Sequence, residues 1–263
     1  MRIVRFLDAD GTVYAGRLTD GQHALPLVGD LFNQPEFMDR PVAISRLLAP
    51  IEPPNIFAIG RNYRGHIQET GAQTPPAPLI FMKPTTALLA PVEPILLPAS
   101  APDQVDFEAE LAIVMGRKCR AVSVAEAPDY VFGFTCANDV SARDCQKNDK
   151  QWTRGKGFDT FCPLGPWIVT IDEFDPESSG IRSRLNGEVM QNSNLANMMH
   201  SCAELVSYLS HQFTLLPGTV ILTGTPEGVG FARTPPIFLK AGDAIEIEID
   251  GIGVLRNSVA APR

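Results

Sequence analysis

The chain lacks any run of about 18 consecutive apolar residues, so no segment reads as a membrane-crossing helix. It also lacks a basic stretch long enough to follow a phosphate backbone: 22 lysines and arginines face 30 aspartates and glutamates, for a formal charge of -8. The expectation is therefore no nucleic acid partner and no membrane partner. The start, Met1-Arg2-Ile3-Val4-Arg5-Phe6, carries charges where a signal peptide needs an apolar centre, which places the protein in the cytoplasm as an expectation. Cysteine is scarce and unpaired by pattern. Cys119, Cys136, Cys145, Cys162 and Cys202 are odd in number and contain no C-x-x-C, which argues against both a disulfide framework and a zinc cluster. None of the four histidines offers a local partner for a nucleophilic cysteine. Gly224 to Gly230 is glycine-rich but has no Gly-Lys-Ser/Thr ending, so a nucleotide site is not indicated.

What is present is a succession of short strand signals. Ile3 to Leu7, Val13 to Leu18 and His23 to Val28 are separated by the turn-formers Asp10-Gly11 and Asp20-Gly21. A short helical pattern over Val42 to Leu48 follows, and Pro50, Pro53 and Pro54 mark a boundary, dividing the chain into a small β domain, 1–54, and a main domain, 55–263. The main domain opens with a strand, Asn55 to Gly60, and a helical turn or two, Tyr63 to Thr70, closed by Gly71. Seven prolines between Pro75 and Pro98 exclude long helices there. Further on, the pattern predicts strands at Leu79 to Met82, Glu108 to Gly116, Tyr130 to Cys136, Trp167 to Thr170 and Val220 to Thr223. Hairpins are predicted about Asn186-Gly187 and Asp250-Gly251, and helices at Val122 to Ala127, Ala142 to Asn148 and Leu195 to Phe213.

The most telling run is Asp106-Phe107-Glu108-Ala109-Glu110, leading into Leu111-Ala112-Ile113-Val114-Met115. Side chains alternate along a strand, so Glu108 and Glu110 share a face. Two like charges side by side on an apolar strand are unfavourable unless water or a cation neutralises them, which leaves a hydrated sheet face and a pair of ligands to a hard divalent ion as the two readings. Asp139 ends a later apolar strand and either caps the next helix or coordinates; on a helix, Arg143 and Gln146 would share its face. His66 and Glu69, three apart, point the same way on a helix, as an exposed pair or as a base and its orienting carboxylate. Lys156, between Gly155 and Gly157, is either a solvated loop lysine or a cavity cation.

Taken together and in order, Gly60-Arg61-Asn62-Tyr63, His66-Ile67-Gln68-Glu69, Phe81-Met82-Lys83-Pro84, Asp106 to Glu110, Asn138 to Asp144, Lys156-Gly157-Phe158-Asp159, Asn186-Gly187 and Leu222 to Pro226 make the chain resemble the fumarylacetoacetate hydrolase family over roughly residues 55 to 255. The resemblance implies an α+β, mostly β fold, a mixed β-roll with short helices behind a small N-terminal β appendage. It implies that Glu108, Glu110 and Asp139 bind one magnesium or manganese ion with positions open to a 2-oxo acid, a set of oxygen donors that suits such an ion. By the same resemblance His66 and Glu69 are a catalytic dyad on a lid, and Lys156 stands in the cavity. Lys83, Arg143, Gln146, Gly224 and Thr225 are implied to help hold the substrate. The expected partner is a small 2-oxo acid and the expected assembly a homodimer. The expected reaction is metal-dependent cleavage of a carbon-carbon bond, acylpyruvate or fumarylpyruvate hydrolysis through a pyruvate enolate. Decarboxylation of oxaloacetate type and isomerisation or hydration of unsaturated 2-oxo dioic acids stand as alternatives, and a non-catalytic metal-binding scaffold as a reading of another class.

Overall fold

The computed structural model describes residues 1–261, so the last two residues of the 55–263 span lie outside the described part. Strands β1 (Arg2–Leu7), β2 (Val13–Leu18) and β3 (His23–Val28) begin the chain, and β4 (Ile56–Gly60), helix α1 (Arg64–Thr70) and β5 (Leu79–Lys83) follow. Next come β6 (Ala109–Met115), β7 (Val131–Asn138), α2 (Arg143–Asn148), α3 (Thr153–Lys156) and β8 (Cys162–Thr170). The chain continues with β9 (Gly180–Leu185), β10 (Glu188–Asn194), α4 (Cys202–Gln212), β11 (Val220–Leu222), β12 (Ala244–Ile249) and β13 (Gly253–Ala260). The architecture is the mostly β, α+β one expected. No helix among the described residues is long and apolar enough to cross a membrane.

The main sheet runs β3-β2-β1-β8-β7-β6-β11-β4-β5 through its centre, and a second sheet is built on β13-β12-β9-β10. Neighbours along this order are antiparallel except β11 and β4, which run parallel, and Leu88–Leu89 pairs parallel with β8 off that path. Strand β6 is buried on both faces. Ala109, Leu111, Ile113 and Met115 enter the core shared with Ile245, Ile247 and Leu255 of the second sheet, while Ala112 and Val114 face a smaller cluster with Ile56, Leu164 and Leu222. Such two-sided burial explains why β6 is continuously apolar from Leu111 to Met115 rather than alternating. The N-terminal strands are not detached from it: β1 pairs with β8, aligning Arg2 with Val169 and Ile3 with Ile168.

Three helical expectations are corrected. Val42 to Leu48 forms two short strands, Val42–Ala43 paired with β3 and Arg46–Leu48 paired with β1, because edge pairing satisfies its backbone better than a single isolated helical turn. Val122 to Ala127 is a loop and turn, and only Ala127–Tyr130 coils, as a 3-10 turn with Pro128 near its start. The helix expected from Leu195 begins only at Cys202. Ser201 and Glu204 form a reciprocal capping box there, and Leu195–Asn197 is a separate turn capped by Asn194. Turn chemistry proves the firmer signal: Asn186 and Gly187 both have positive φ, 52° and 85°, between β9 and β10.

The contact between β7 and β8 is close enough to need glycine at Gly133, where a Cβ would collide with the Val169 carbonyl oxygen and approach Thr170 Cα to 2.9 Å. Both obstacles are backbone of a neighbouring strand and cannot swing away. Gly133→Ala is therefore expected to destabilise the fold by at least about 2 kcal/mol, read as a lower urea midpoint. Gly21→Ala, where a Cβ meets nothing within 4 Å, is the control and should stay within about 0.5 kcal/mol.

Candidate active site

The antiparallel register of β6 on β7 sets Ala109 opposite Asn138 and Glu110 opposite Ala137, and the next step outward, Glu108 opposite Asp139, is tied by the Asp139 amide donating to the Glu108 carbonyl at 3.0 Å. Residues opposite one another on an antiparallel pair project to the same face. Two strand ends thus bring Glu108, Glu110 and Asp139 together, with one carboxylate oxygen of each lying within 4.8 Å of the others and all three side chains buried. A hydrated sheet face is ruled out by that burial. So is the cap: α2 starts at Arg143 after Ala142, leaving Asp139 outside the helix and off the face of Arg143 and Gln146.

Buried acids need donors, and these are supplied densely. Lys156 Nζ, at the end of α3, donates to Glu108 Oε2 and Asp139 Oδ2, each at 2.7 Å. Lys83 Nζ donates to Asp139 Oδ1 from the end of β5. Arg143 Nη1 lies 2.7 Å from Glu108 Oε1 and 2.9 Å from Gln146 Oε1, and its Nε donates to Asp106 Oδ2 at 2.9 Å. The Gly224 amide donates to Glu110 Oε2 at 2.7 Å. Burial pushes the Glu108 carboxyl upward, but Lys156 and Arg143 outweigh it and hold the group below the usual carboxylate range. Glu110 has no cation in contact; burial, then the charges of Asp139 and Glu108, push it well above that range. Burial alone would lower the Lys156 ammonium, yet Asp139 and Glu108 reverse the sign and hold it raised. Lys156 is therefore a fixed charge in this arrangement rather than the ready proton donor that desolvation alone would make it.

These groups open on a cavity of about 640 Å³ whose wall includes Glu108, Glu110, Arg143, Gln146, Lys156 and Thr225. His66, 8% exposed, lines it from α1. Its Nδ1 is 2.8 Å from Glu69 Oε1, and Glu69 Oε2 accepts the Gly228 amide at 2.8 Å. With Nδ1–H given to the carboxylate, Nε2 carries the free lone pair. Two of the residues implied to hold the substrate are engaged with the protein's own carboxylates. Lys83 is 2% exposed and stands behind Asp139, outside the cavity wall, and the Gly224 amide is already committed to Glu110. Thr225 does reach the cavity, but its hydroxyl donates to the Ala109 carbonyl at 2.9 Å and accepts from Gln191 Nε2 at 2.7 Å. In each case the polar atom is used to satisfy a buried neighbour.

Three residues with positioning roles carry little or no sequence signal. Asp106 is fully buried and takes the amides of Gly230 and Phe231 as well as Arg143. Its spacing of two from Glu108 is the one available sign, since it continues the same parity. Gln191 ties the Ala109 amide at 2.9 Å to Thr225 and to the Pro226 carbonyl, and Asn62 bonds the Thr223 and His200 carbonyls. Asn62 figures only as a member of the Gly60-Arg61-Asn62-Tyr63 landmark and Gln191 has no local signal, because their partners lie on other elements. Gly224 belongs with them as backbone: its φ is 97°, and a Cβ there would meet Asn62 Cβ at 2.8 Å.

Comparison with known proteins bears on this arrangement. Residues 55–260 match the family model described as fumarylacetoacetate (FAA) hydrolase C-terminal, and residues 1–50 match one described as Rv2993c-like, N-terminal. Protein Rv2993c of Mycobacterium tuberculosis is 46% identical over 269 residues, 98% of each chain. The mitochondrial oxaloacetate tautomerase fahd2 of Xenopus laevis is 49% identical over 217 residues, covering 81% of this chain and 68% of its own. A crystal structure of 2-hydroxyhepta-2,4-diene-1,7-dioate isomerase from Mycobacterium marinum superposes with a TM-score of 0.88 at 44% identity, over 99% of this chain and 98% of that one.

Three converging buried carboxylates, all oxygen donors, fit a hard divalent ion. The raised Glu110 carboxyl gives a stability test with a definite sign. A carboxyl whose pKa the fold raises costs stability as pH climbs above its unfolded pKa. Glu110→Gln keeps the shape and an acceptor for Gly224 while removing the charge. It should raise the melting temperature of chelator-treated protein at neutral pH and abolish the stabilisation by Mn2+ expected of the unaltered chain. A lower melting temperature, or an unchanged response to Mn2+, would count against Glu110 as a ligand.

Proposed function

This chain belongs to the fumarylacetoacetate hydrolase family, and on that footing we propose that it catalyses divalent-metal-dependent enolisation of a small 2-oxo acid, with tautomerisation or double-bond isomerisation of an oxaloacetate-like dioic acid as its reaction. The observation that carries this reading is the placement of His66, oriented by Glu69, on the same cavity as Glu108, Glu110, Arg143 and Lys156. Enolisation needs a base beside a carbon, a carbonyl made electron-poor and a positive field for the charge that develops on oxygen.

Each need has an occupant. Glu108, Glu110 and Asp139 would hold the ion, which when bound supplies Lewis acidity at the 2-oxo group. His66 takes a proton from the carbon next to that group through Nε2, and Glu69 steadies the imidazolium that results. Lys156, kept charged by Glu108 and Asp139, contributes positive potential where the enolate oxygen forms. Return of the proton from His66 to the carbon or to another position along the conjugated chain completes a tautomerisation or an isomerisation. Arg143 and Gln146 present donors on the cavity wall for the carboxylate of the 2-oxo acid, and Phe231, 4.3 Å below the Arg143 guanidinium, fixes that plane.

The same dyad favours a second reading, hydrolysis of an acylpyruvate or fumarylpyruvate, because an imidazole held in this way also activates water. Proton transfer without water ranks ahead of it because the relatives include an oxaloacetate tautomerase and a dienedioate isomerase. Decarboxylation of oxaloacetate would use the same ion and the same enolate but not the base.

Chelator-treated protein, assayed with and without Mg2+ or Mn2+, should speed the decay of the enol absorbance of oxaloacetate more than it speeds loss of acetylpyruvate. His66→Ala should lower the metal-dependent rate by about 10²- to 10⁴-fold. A rate unaffected by His66→Ala removes the dyad from the mechanism, and no metal-dependent turnover of either compound sinks the enzymatic reading.

A further inference from the structure

Two cations on the cavity wall have no acid to answer them. Arg143 and Lys156 are committed to Asp106, Glu108 and Asp139, whereas Arg61 and Lys147, which line the same cavity, enter no ion pair among the described residues. Arg61 is also held in place at a cost. Its backbone has φ 58°, the left-handed region that an arginine occupies unfavourably, and its guanidinium carbon stands 5.9 Å from the centroid of the Trp152 ring. That ring is itself braced: it meets Phe81 edge-on at 5.4 Å and covers Gly60 so closely that a Cβ there would lie 2.5 Å from it. The guanidinium is given only one long contact by the protein, Nη1 to the Gln73 carbonyl at 3.4 Å, so most of its five donors are free. A strained backbone, a braced aromatic platform and a planar cation with unfilled donors are the parts of a carboxylate clamp.

We propose that Arg61, steadied on Trp152 and assisted by Lys147, is the residue that binds the distal carboxylate of the dioic acid proposed above and so sets the discrimination against monocarboxylic 2-oxo acids. One end of the molecule, the 2-oxo acid, meets Arg143 and the carboxylate cluster, and the carbon chain passes along the apolar wall formed by Phe81 and Trp152 toward Arg61. The inference rests on reading the cavity as a 2-oxo acid site and adds to it a residue that discriminates dioic from monocarboxylic substrates.

The test is a binding comparison that does not depend on turnover. With Mg2+ present, 2-oxoglutarate and 2-oxopentanoate, which differ only in the terminal carboxylate, are titrated calorimetrically into the full chain. A charge-assisted contact predicts a preference of about ten-fold or more for 2-oxoglutarate. Arg61→Gln should bring the two affinities within about two-fold, and Arg61→Lys, which keeps the charge without the planar fork, should recover part of the gap. Should Arg61→Gln fail to fold, Lys147→Gln carries the test on the exposed side, with the preference expected to fall about three-fold. An unchanged preference in the variants, or an equal loss for both acids, overturns the second-carboxylate site and leaves the proposed function standing. If neither acid binds the unaltered chain in the presence of Mg2+, both fall.

Discussion

The structure depends on one electrostatic constraint: three buried acids forced together by strand register at the wall of a cavity. Charges of one sign so close repel, and removal from solvent strengthens the repulsion, so the surrounding fold is shaped to oppose it. Lys83 and Lys156 reach Asp139 from opposite elements, Arg143 bridges Glu108 to Asp106, and a backbone amide serves Glu110. Glu110 receives the weakest compensation. That asymmetry leaves the cluster short of positive charge at one corner, and a divalent ion answers such a shortage better than another lysine, because it brings two charges on a small centre with several coordination sites.

A second constraint links the helix carrying His66 to the loop that closes the cavity. Glu69 serves His66 with one oxygen and the Gly228 amide with the other. The group that orients the base is thus also the group that fastens α1 to the Gly224 to Gly230 segment. The glycines of that segment serve close approach. Gly228 has φ 100°, and a Cβ at Gly230 would lie 2.6 Å from Asp106 Oδ1. Loop, helix and acid cluster are consequently one connected assembly, joined through Asp106, Glu110 and Glu69. The missing Gly-Lys-Ser/Thr ending argues against a phosphate loop, and the observed amides point instead at carboxylates of the protein itself.

Much of this is legible in the chain. The i, i+2 parity of Glu108 and Glu110, the three-residue spacing of His66 and Glu69, and the Asn186-Gly187 turn are local facts, because helix and strand periods place side chains by geometry alone. The signals that mislead are also local in origin. Val42 to Leu48 has a helical pattern, yet pairing with β1 and β3 overrides it; Leu195 to Phe213 has apolar spacing over its whole length, yet the capping box at Ser201 decides where the helix begins. Motif membership names Lys83 and Gly224 among the residues that gather at the site without saying that the Lys83 ammonium pairs with Asp139 and the Gly224 amide with Glu110.

The sequence by itself determined the strand and turn grammar, the identity of the acids, bases and cations, and the pairs that sit within one helical turn or one strand repeat of each other. The family resemblance named Asp139 beside Glu108 and Glu110, but only the tertiary structure supplied the register that joins them, bound Lys156 to two carboxylates, and left Arg61 and Lys147 on the cavity wall without an ion pair among the described residues. The physical reason is range. Backbone periodicity fixes relations among neighbours in the chain, whereas burial and charge balance are sums over groups from distant segments, and those sums exist only once the sheets have closed around them.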